Sequence, residues 1–394
     1  MNETIYMPVG EVCSSISDTY REKKNMVTLI NTSDVLEGRI LNHERVPNSN
    51  LKGQFKKTFQ RDDILYSEIR PQNRRFAYVD FSPIDYIAST KLMVIRAKKD
   101  VVSPKYLYYF LKNSSTVAEL QLLAETRSGT FPQITFSEVA NLTIPVPPLA
   151  VQEVIVQTMQ CLEDKTICNE QINDNLEQQA QAIYHERFET VSPNDLPSDW
   201  RIVTLGEVAT ISNKSFNPLK EPEILLEHYS IPAFDEARFP VSELSTSIKS
   251  NKFIIDASCF MISKLKPTTK RVWKPYCLTG NAVCSTEFIV YKAKDQSITD
   301  FLYSVIDSGS FSDFMCSHVT GSTGSRQRTT PSDTLSYELI LPSEDELAEF
   351  QSLVSPMYAQ MRINAIENDK LKRLRDSLLP KLMSGEIDVS SVHL

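Results

Sequence analysis

The chain has 394 residues, and this length exceeds what one hydrophobic core usually organises, so two domains are expected. Hydrophobic residues make up 41% of the sequence, which excludes a largely disordered chain and indicates folded, water-soluble domains. The formal net charge of −8 does not favour a nucleic-acid partner, yet residues 1–150 carry 19 basic and 16 acidic residues.

Short runs of β-branched and aromatic residues predict strands in the first 150 residues, among them DILYSEI and KLMVIRA. A long helix is expected at about 151–189, after the proline-rich run IPVPPLAV. Strands and short helices then return in FIIDASCFMIS, EFIVY and ITDFLYSVIDS. A second long helix is expected at about 344–383, with kinks or a late start caused by Pro356 and Pro380.

One unit is written twice along the chain, at an offset of 195 or 196 residues. The matched segments include GEV at 10–12 and 206–208, SEIRP with SKLKP at 67–71 and 263–267, and YLY with FLY at 106–108 and 301–303. The repeat divides the chain into a domain at 1–150, a helix and linker at 151–195, a domain at 196–343, and a helix and tail at 344–394. The predicted fold class is α+β, with two pseudo-repeated α/β domains that are each followed by a long helix.

Both long helices carry an apolar residue or an asparagine at every seventh position. The first set is Ile155, Leu162, Asn169, Leu176 and Ile183, and the second is Phe350, Met357, Asn364, Leu371 and Leu378. A seven-residue repeat is typical of a coiled-coil seam, so the helices are expected to pair, antiparallel. Asn173 and Asn368 form a further matched pair. The alternative is that each helix packs on its own domain and its asparagines face water.

The elements DILYSEIRP and SGTFPQITFSEVANLTIPVPPL, together with the repeated helix, resemble the specificity subunit of a type I restriction–modification enzyme. The resemblance implies two target-recognition domains, each reading one half of a two-part site in double-stranded DNA. It also implies that the helices dock methyltransferase subunits, two in number, and that S-adenosylmethionine binds to those subunits. It leaves open whether restriction or translocase subunits also bind. The second half departs from the pattern at 324–329, which differs from 129–134.

Candidate DNA contacts are basic or amide-bearing residues in loops. Such side chains can reach phosphates or base edges. In the first half they are Arg70, Arg74, Arg75, Arg127, Thr130 and Gln133. In the second half they are Lys266, Lys270, Arg271, Arg326, Gln327 and Arg328. The alternative for each is an ordinary solvated surface residue.

The length of the spacer helix predicts a gap between the two half-sites. A helix of about 38 residues is about 57 Å long, which exceeds the length of one turn of B-DNA. We expect an unread gap of about five to eight base pairs.

The sequence does not favour catalysis by this chain. Gly321–Ser325 lacks the lysine and spacing of a phosphate-binding loop, the five histidines show no ligand spacing, and no Ser/His/Asp arrangement is indicated. We therefore expect no catalytic residue, metal site or cofactor in this chain. Two other hypotheses stay open: a coiled-coil scaffold whose repeated domains bind proteins rather than DNA, and a DNA-modifying enzyme with an unrecognised site.

The cysteines and the hydropathy of the chain bear on its location. Seven cysteines without a CxxC pair indicate free thiols in a reducing compartment, so we expect a cytoplasmic protein. No apolar run is long enough to cross a bilayer, and the N-terminal residues do not form a signal peptide, so we expect no membrane association.

Overall fold

The structure is a computed structural model that describes residues 4–49, 53–127, 131–192, 194–321 and 327–389. It divides into two compact units, one formed by Met1–Lys165 with Lys370–Leu394 and the other by Thr166–Asp369. Each unit contains one of the repeated domains and a segment of each long helix. Among the described residues, no helix has the length and low polarity needed to cross a membrane.

The first unit alternates strands with short helices. Its described strands are β1 (Ile5–Pro8), β2 (Cys13–Ile16), β3 (Met26–Ile30), β4 (Val35–Leu36), β5 (Arg39–Ile40), β6 (Arg45–Pro47), β7 (Phe55–Lys57), β8 (Ile64–Ser67), β9 (Phe76–Tyr78), β10 (Tyr86–Ser89), β11 (Leu92–Ala97) and β12 (Thr143–Val146). Its described short helices are α1 (Val9–Val12), α2 (Pro104–Lys112), α3 (Ser114–Arg127) and α4 (Phe136–Ala140).

The central sheet of the first unit has the antiparallel strand order β2-β11-β8-β9 and is buried on both faces. Successive side chains of a strand point to opposite faces, so one strand can supply two cores. On β8, Ile64 and Tyr66 join the core formed with the helices, whereas Leu65 joins a second core on the opposite face. The near-continuous apolar run of this strand follows from its burial on both faces.

A second sheet of the first unit has the strand order β6-β3-β10-β7, with β3 and β10 parallel. Ile30 of β3 and Ala88 of β10 contribute to the core that Leu65 enters. The central sheet is therefore covered by helices on one face and by this sheet on the other. Separately, β1 and β12 form an antiparallel pair that brings the two ends of the domain together.

The second unit has the same plan. Its described strands are β13 (Arg201–Thr204), β14 (Ala209–Ile211), β15 (Ser215–Phe216), β16 (Leu225–Tyr229), β17 (Val241–Leu244), β18 (Lys252–Ile254), β19 (Cys259–Ser263), β20 (Val272–Trp273), β21 (Ala282–Ser285), β22 (Phe288–Ala293), β23 (Val319–Thr320), β24 (Arg328–Thr329) and β25 (Glu338–Leu341). Its described short helices are α6 (Leu205–Val208), α7 (Ile231–Ala237), α8 (Thr299–Ile306) and α9 (Gly309–Ser317).

The central sheet and the terminal strand pair of the second unit match those of the first strand for strand, whereas the second sheet has five strands instead of four. The central sheet β14-β22-β19-β20 corresponds to β2-β11-β8-β9, and the pair β13–β25 corresponds to β1–β12. The second sheet, β15-β18-β21-β16-β17, again contains one parallel pair, β16 with β21. Phe260 and Ile262 of β19 face the helical core, and Met261 faces the opposite core. The repeat predicted from short motifs is thus a repeat of the whole α/β domain.

Two long helices follow the domains, α5 (Leu149–Tyr184) and α10 (Glu344–Ser384). At 36 and 41 residues they are about 54 and 62 Å long. The late start expected for the second long helix was wrong, because α10 begins at Glu344 and is continuous through Pro356 and Pro380. The kinks expected at the two prolines stay a prediction. Both are exposed, so the carbonyls that lose an amide partner can bond to water, and the buried neighbours Val354 and Tyr358 hold the helix in place.

Within the second unit the two helices pair in an antiparallel sense, as the sequence predicted. The amide nitrogen of Asn169 donates to Oδ1 of Asn368 at 2.8 Å, and that of Asn364 donates to Oδ1 of Asn173 at 2.8 Å. The residue numbers rise on one helix as they fall on the other. The repeat relates the two bonds, because Asn169 corresponds to Asn364 and Asn173 to Asn368.

The ten residues of the predicted seam are buried or half-buried. In the second unit these are Asn169, Leu176, Ile183, Phe350, Met357 and Asn364; in the first unit they are Ile155, Leu162, Leu371 and Leu378. Ile155, Leu162 and Leu378 pack in the helical core of the first domain, and Phe350, Ile183 and Met357 pack in that of the second. The seam residues therefore pack in the domain cores as well as between the two helices.

We predict that the bond between Asn173 and Asn364 couples the two helices. Asn364→Leu leaves the half-buried Asn173 carbonyl without its donor and should lower the free energy of unfolding by about 1–3 kcal/mol. The double variant Asn173→Leu with Asn364→Leu should lose less free energy of unfolding than the two single variants together. It contains neither amide group, so neither amide is left without the other as its partner. Urea denaturation of the four proteins measures the coupling, and Asn175→Leu, an exposed position on α5, is the matched control. Strictly additive effects would contradict the prediction.

Candidate nucleic-acid interface

A tight turn follows the central strand β8 in the first unit. Ser67 Oγ accepts a hydrogen bond from the Ile69 amide at 3.0 Å, and a 3₁₀ turn spans Pro71–Asn73. Arg70 and Arg74, on either side, have positive φ angles of 44° and 53°. Pro71 is buried and presets φ for the first position of the turn. We call this segment, residues 70–74, the first turn.

The same turn follows β19 in the second unit. Ser263 Oγ accepts from the Leu265 amide at 3.2 Å, and Lys266 has a φ of 50°. The Thr269 amide donates to the Lys266 carbonyl at 2.9 Å, as the Asn73 amide donates to that of Arg70 at 2.8 Å. We call residues 266–270 the second turn.

In each unit a second predicted loop lies against the turn. The Arg70 amide donates to the Pro132 carbonyl at 3.1 Å, and Ile69 pairs with Gln133 in an antiparallel bridge. The bonds recur in the second unit, where the Lys266 amide donates to the Gln327 carbonyl at 2.9 Å and Leu265 pairs with Arg328. The structure therefore brings together Arg70 with Gln133 in the first unit, and Lys266 with Gln327 and Arg328 in the second.

Arg70 and Lys266 stand apart from the other candidates. Both are exposed, and within the described part of the chain neither side chain has a hydrogen-bond or ion-pair partner. Both occupy the left-handed region, which costs an L-residue with a side chain roughly 1–2 kcal/mol. A cation kept free at a strained backbone position is available to an anionic partner.

The other two basic candidates at the first turn, Arg74 within it and Arg75 directly after it, are bound within the protein. Arg74 Nε lies 2.8 Å from a carboxylate oxygen of Glu37. The guanidinium of Arg75 donates to the carbonyls of Ser33 and Val35 at 3.0 and 3.3 Å. These contacts fix the sides of the turn and leave these two cations less available to DNA than the sequence indicates.

The second turn is held in the same way. Lys270 Nζ lies 2.8 Å from Oδ1 of Asp307, which is buried, and donates to its carbonyl oxygen. Arg271 makes two hydrogen bonds to the carboxylate of Asp235, at 2.6 and 2.8 Å. The acidic partners lie 36 or more residues from these cations along the chain.

The remaining candidates differ in what the structure describes. Gln133 accepts a hydrogen bond from Lys91 at 3.3 Å, and Arg328 bonds to the carboxylate of Glu287 at 3.0 and 3.1 Å. Gln327 is half-buried. Arg127 is the last residue of α3, and its side chain lies outside the description. Thr130 and Arg326 lie outside the described residues.

Asp307 carries the one strongly shifted carboxyl group next to either turn among the described residues. Burial raises its pKa to about 6, and the neighbouring Lys270 acts in the opposite direction. Glu177 also raises the pKa and Arg238 lowers it. The ionised form is therefore penalised, and Lys270 offsets only part of that penalty.

Comparisons with known proteins show which proteins this chain resembles. Residues 6–178 match the family model for the type I restriction modification DNA specificity domain. The type I restriction enzyme HindI specificity subunit of Haemophilus influenzae is 28% identical, and the alignment covers 92% of this chain and 94% of that protein. The MjaIX specificity subunit of Methanocaldococcus jannaschii is 24% identical, with coverage of 79% and 77%. The chain is thus similar to type I restriction enzyme specificity subunits over most of its length, and its residues 6–178 resemble their DNA specificity domain.

Two solved structures share the fold. The type I restriction–modification S subunit from M. genitalium aligns with 97% of this chain and 96% of its own, at a TM-score of 0.52 and 14% identity. A structure described as the basis of complex assembly and conformational transition of the type I R-M system aligns over 98% of both chains, at a TM-score of 0.51 and 18% identity.

We predict that Asp307 makes the stability of the second unit depend on pH. Because the folded state holds the Asp307 proton more tightly than the unfolded state, this contribution is complete below about pH 4 and is lost as the pH rises through about 6. The Asp307→Asn variant, which has no titrating group there, should gain about 3 kcal/mol relative to the native chain between pH 4 and pH 8.

Urea denaturation across this pH range measures the difference. Asp313→Asn removes an exposed carboxyl group on α9 and is the matched control. Parallel stability curves for the native chain and Asp307→Asn would contradict the prediction.

Proposed function

We propose that this chain is a specificity subunit and recognises a two-part DNA sequence, with one half-site read by each repeated domain. The observation that carries the proposal is the duplicated turn, which offers a free cation at the same strained position in both units. A contact from each cation to a phosphate would set the position of the domain on DNA. The surrounding side chains differ between the units, which favours two unlike half-sites.

We further propose that the long helices dock methyltransferase subunits, two per chain. On the helix segments of the second unit, Ile167, Ile172 and Ile363 lie outside the seam and are exposed. Apolar residues exposed on a helix favour a protein partner. S-adenosylmethionine would bind to those partner subunits, and a restriction or translocase subunit could join the same complex.

The seven cysteines are free, which supports a cytoplasmic location.

The proposal predicts the modification pattern of the assembled complex. Co-expression of the full chain with methyltransferase subunits should give a complex that methylates one two-part sequence with an unread gap. Sequencing of methylated bases in host DNA, with and without this chain, measures the pattern. Co-purification without any sequence-dependent methylation or binding would instead favour the scaffold hypothesis, in which the repeated domains bind proteins.

We predict that Arg70→Gly and Lys266→Gly weaken DNA binding without destabilising the fold. Glycine adopts a positive φ at no steric cost, so the free energy of unfolding should stay equal or rise. Each variant should bind all DNA sequences more weakly, because one cation no longer neutralises a phosphate. The slope of log binding constant against log salt should therefore become shallower by about one in each single variant.

A titration of DNA binding at several salt concentrations, together with thermal denaturation, tests both parts. Lys370→Ala removes an exposed positive charge on α10 and controls for net charge. If it lowered the salt slope as much as Arg70→Gly, the turn would have no special role.

A further inference from the structure

The two turns begin with the same backbone conformation and carry different residues at their centre; they differ at their last residue, where Arg74 but not Lys270 has a positive φ. Both begin with a cation at positive φ, continue with proline, and are closed by an amide-to-carbonyl bond over three residues. Between these fixed points the first turn carries Gln72 and Asn73, whereas the second carries Thr268 and Thr269. Within the two turns, the uncharged side chains that differ between the units are these two consecutive ones.

The central side chains of both turns are available to a ligand. Gln72, Asn73 and Thr268 are exposed, and Thr269 is half-buried. Within the described ranges none of the four side chains forms a hydrogen bond. The backbone beneath them is held, because the Gln72 amide donates to Gln121 Oε1 at 3.2 Å and the Asn73 amide donates to the Arg70 carbonyl. A held backbone with free polar side chains binds at a low entropic cost.

The neighbouring cations are poorly suited to distinguish bases. Arg74, Lys270 and Arg271 are paired with carboxylates of the protein. Arg70 and Lys266 are free, but the contact proposed for each of them is to a phosphate, and phosphate contacts carry no sequence information. A difference in sequence preference between the units requires side chains that differ, and the turn centres supply them.

We propose that Gln72 and Asn73 read bases in one half-site and that Thr268 and Thr269 read the corresponding bases in the other. This inference rests on the proposed function. A carboxamide can donate to N7 and accept from N6 of adenine at once, so the first turn fits a half-site with an adenine at this step. A threonine can place its methyl group against the methyl group of thymine, so the second turn fits thymine at the equivalent step.

The experiment exchanges the two centres within the full-length chain. Gln72→Thr with Asn73→Thr gives the first turn the centre of the second, and Thr268→Gln with Thr269→Asn makes the reciprocal change. Each protein, co-expressed with its methyltransferase subunits, selects duplexes from a library with randomised bases. Arg70→Gly is the matched control, because it alters the same turn but is expected to weaken binding to all sequences equally.

The expected result is a change confined to one half-site for each exchange. The first exchange should lower the preference for adenine at one position by about tenfold to a hundredfold and leave the other half-site unchanged. The reciprocal exchange should introduce an adenine preference in the other half-site. Thermal denaturation checks that each variant folds. If one exchange variant does not fold, the base preference of the other variant tests the inference.

Two outcomes count against the inference and are distinguishable. If the native complex selects a two-part sequence and the exchanges leave every base preference unchanged, the inference is overturned and the proposed function stands. If the native complex selects no sequence at all, the proposed function and the inference fail together.

Discussion

The paired asparagines between α5 and α10 set the register on which the second unit depends. A shift of the helices by one heptad would separate Asn169 from Asn368 and Asn173 from Asn364, and would leave amide groups without partners between apolar side chains. The register decides which faces of the helices remain for the domain. Phe350 and Tyr184, for example, pack against Phe301 of α8. The hydrogen bonds between the asparagines of the two helices therefore fix the position of apolar residues in the core of the second unit.

In each unit the proposed recognition turn continues from a strand of the central sheet. These strands, β8 in the first unit and β19 in the second, are covered on both faces and have little freedom to shift, and each ends at a serine whose hydroxyl begins the turn. Because the turn continues directly from a buried strand, its backbone is fixed while its outer side chains are not. This arrangement allows the two units to share one frame and yet present different chemistry.

The ion pairs within each unit explain how the basic loop residues are distributed in an acidic chain. The chain is acidic overall, and several of its basic loop residues neutralise carboxylates of the same unit, as Arg271 does for Asp235 and Arg328 for Glu287. The free cations of the turns, Arg70 and Lys266, lie at equivalent positions. Net charge is therefore a poor guide to DNA binding in this protein, since a few accessible cations matter more than the total.

The sequence by itself determined the repeat, the α/β character of each domain and the paired long helices, because hydrophobic period and matched spacing are local properties of the chain. It wrongly indicated a late start of α10, because the packing of the residues around Pro356, which overrides the preference of proline, cannot be seen in the sequence. Only the tertiary structure decided which turn cations are free. The partners Glu37, Asp235 and Asp307 lie far from them in sequence, and their approach depends on the fold.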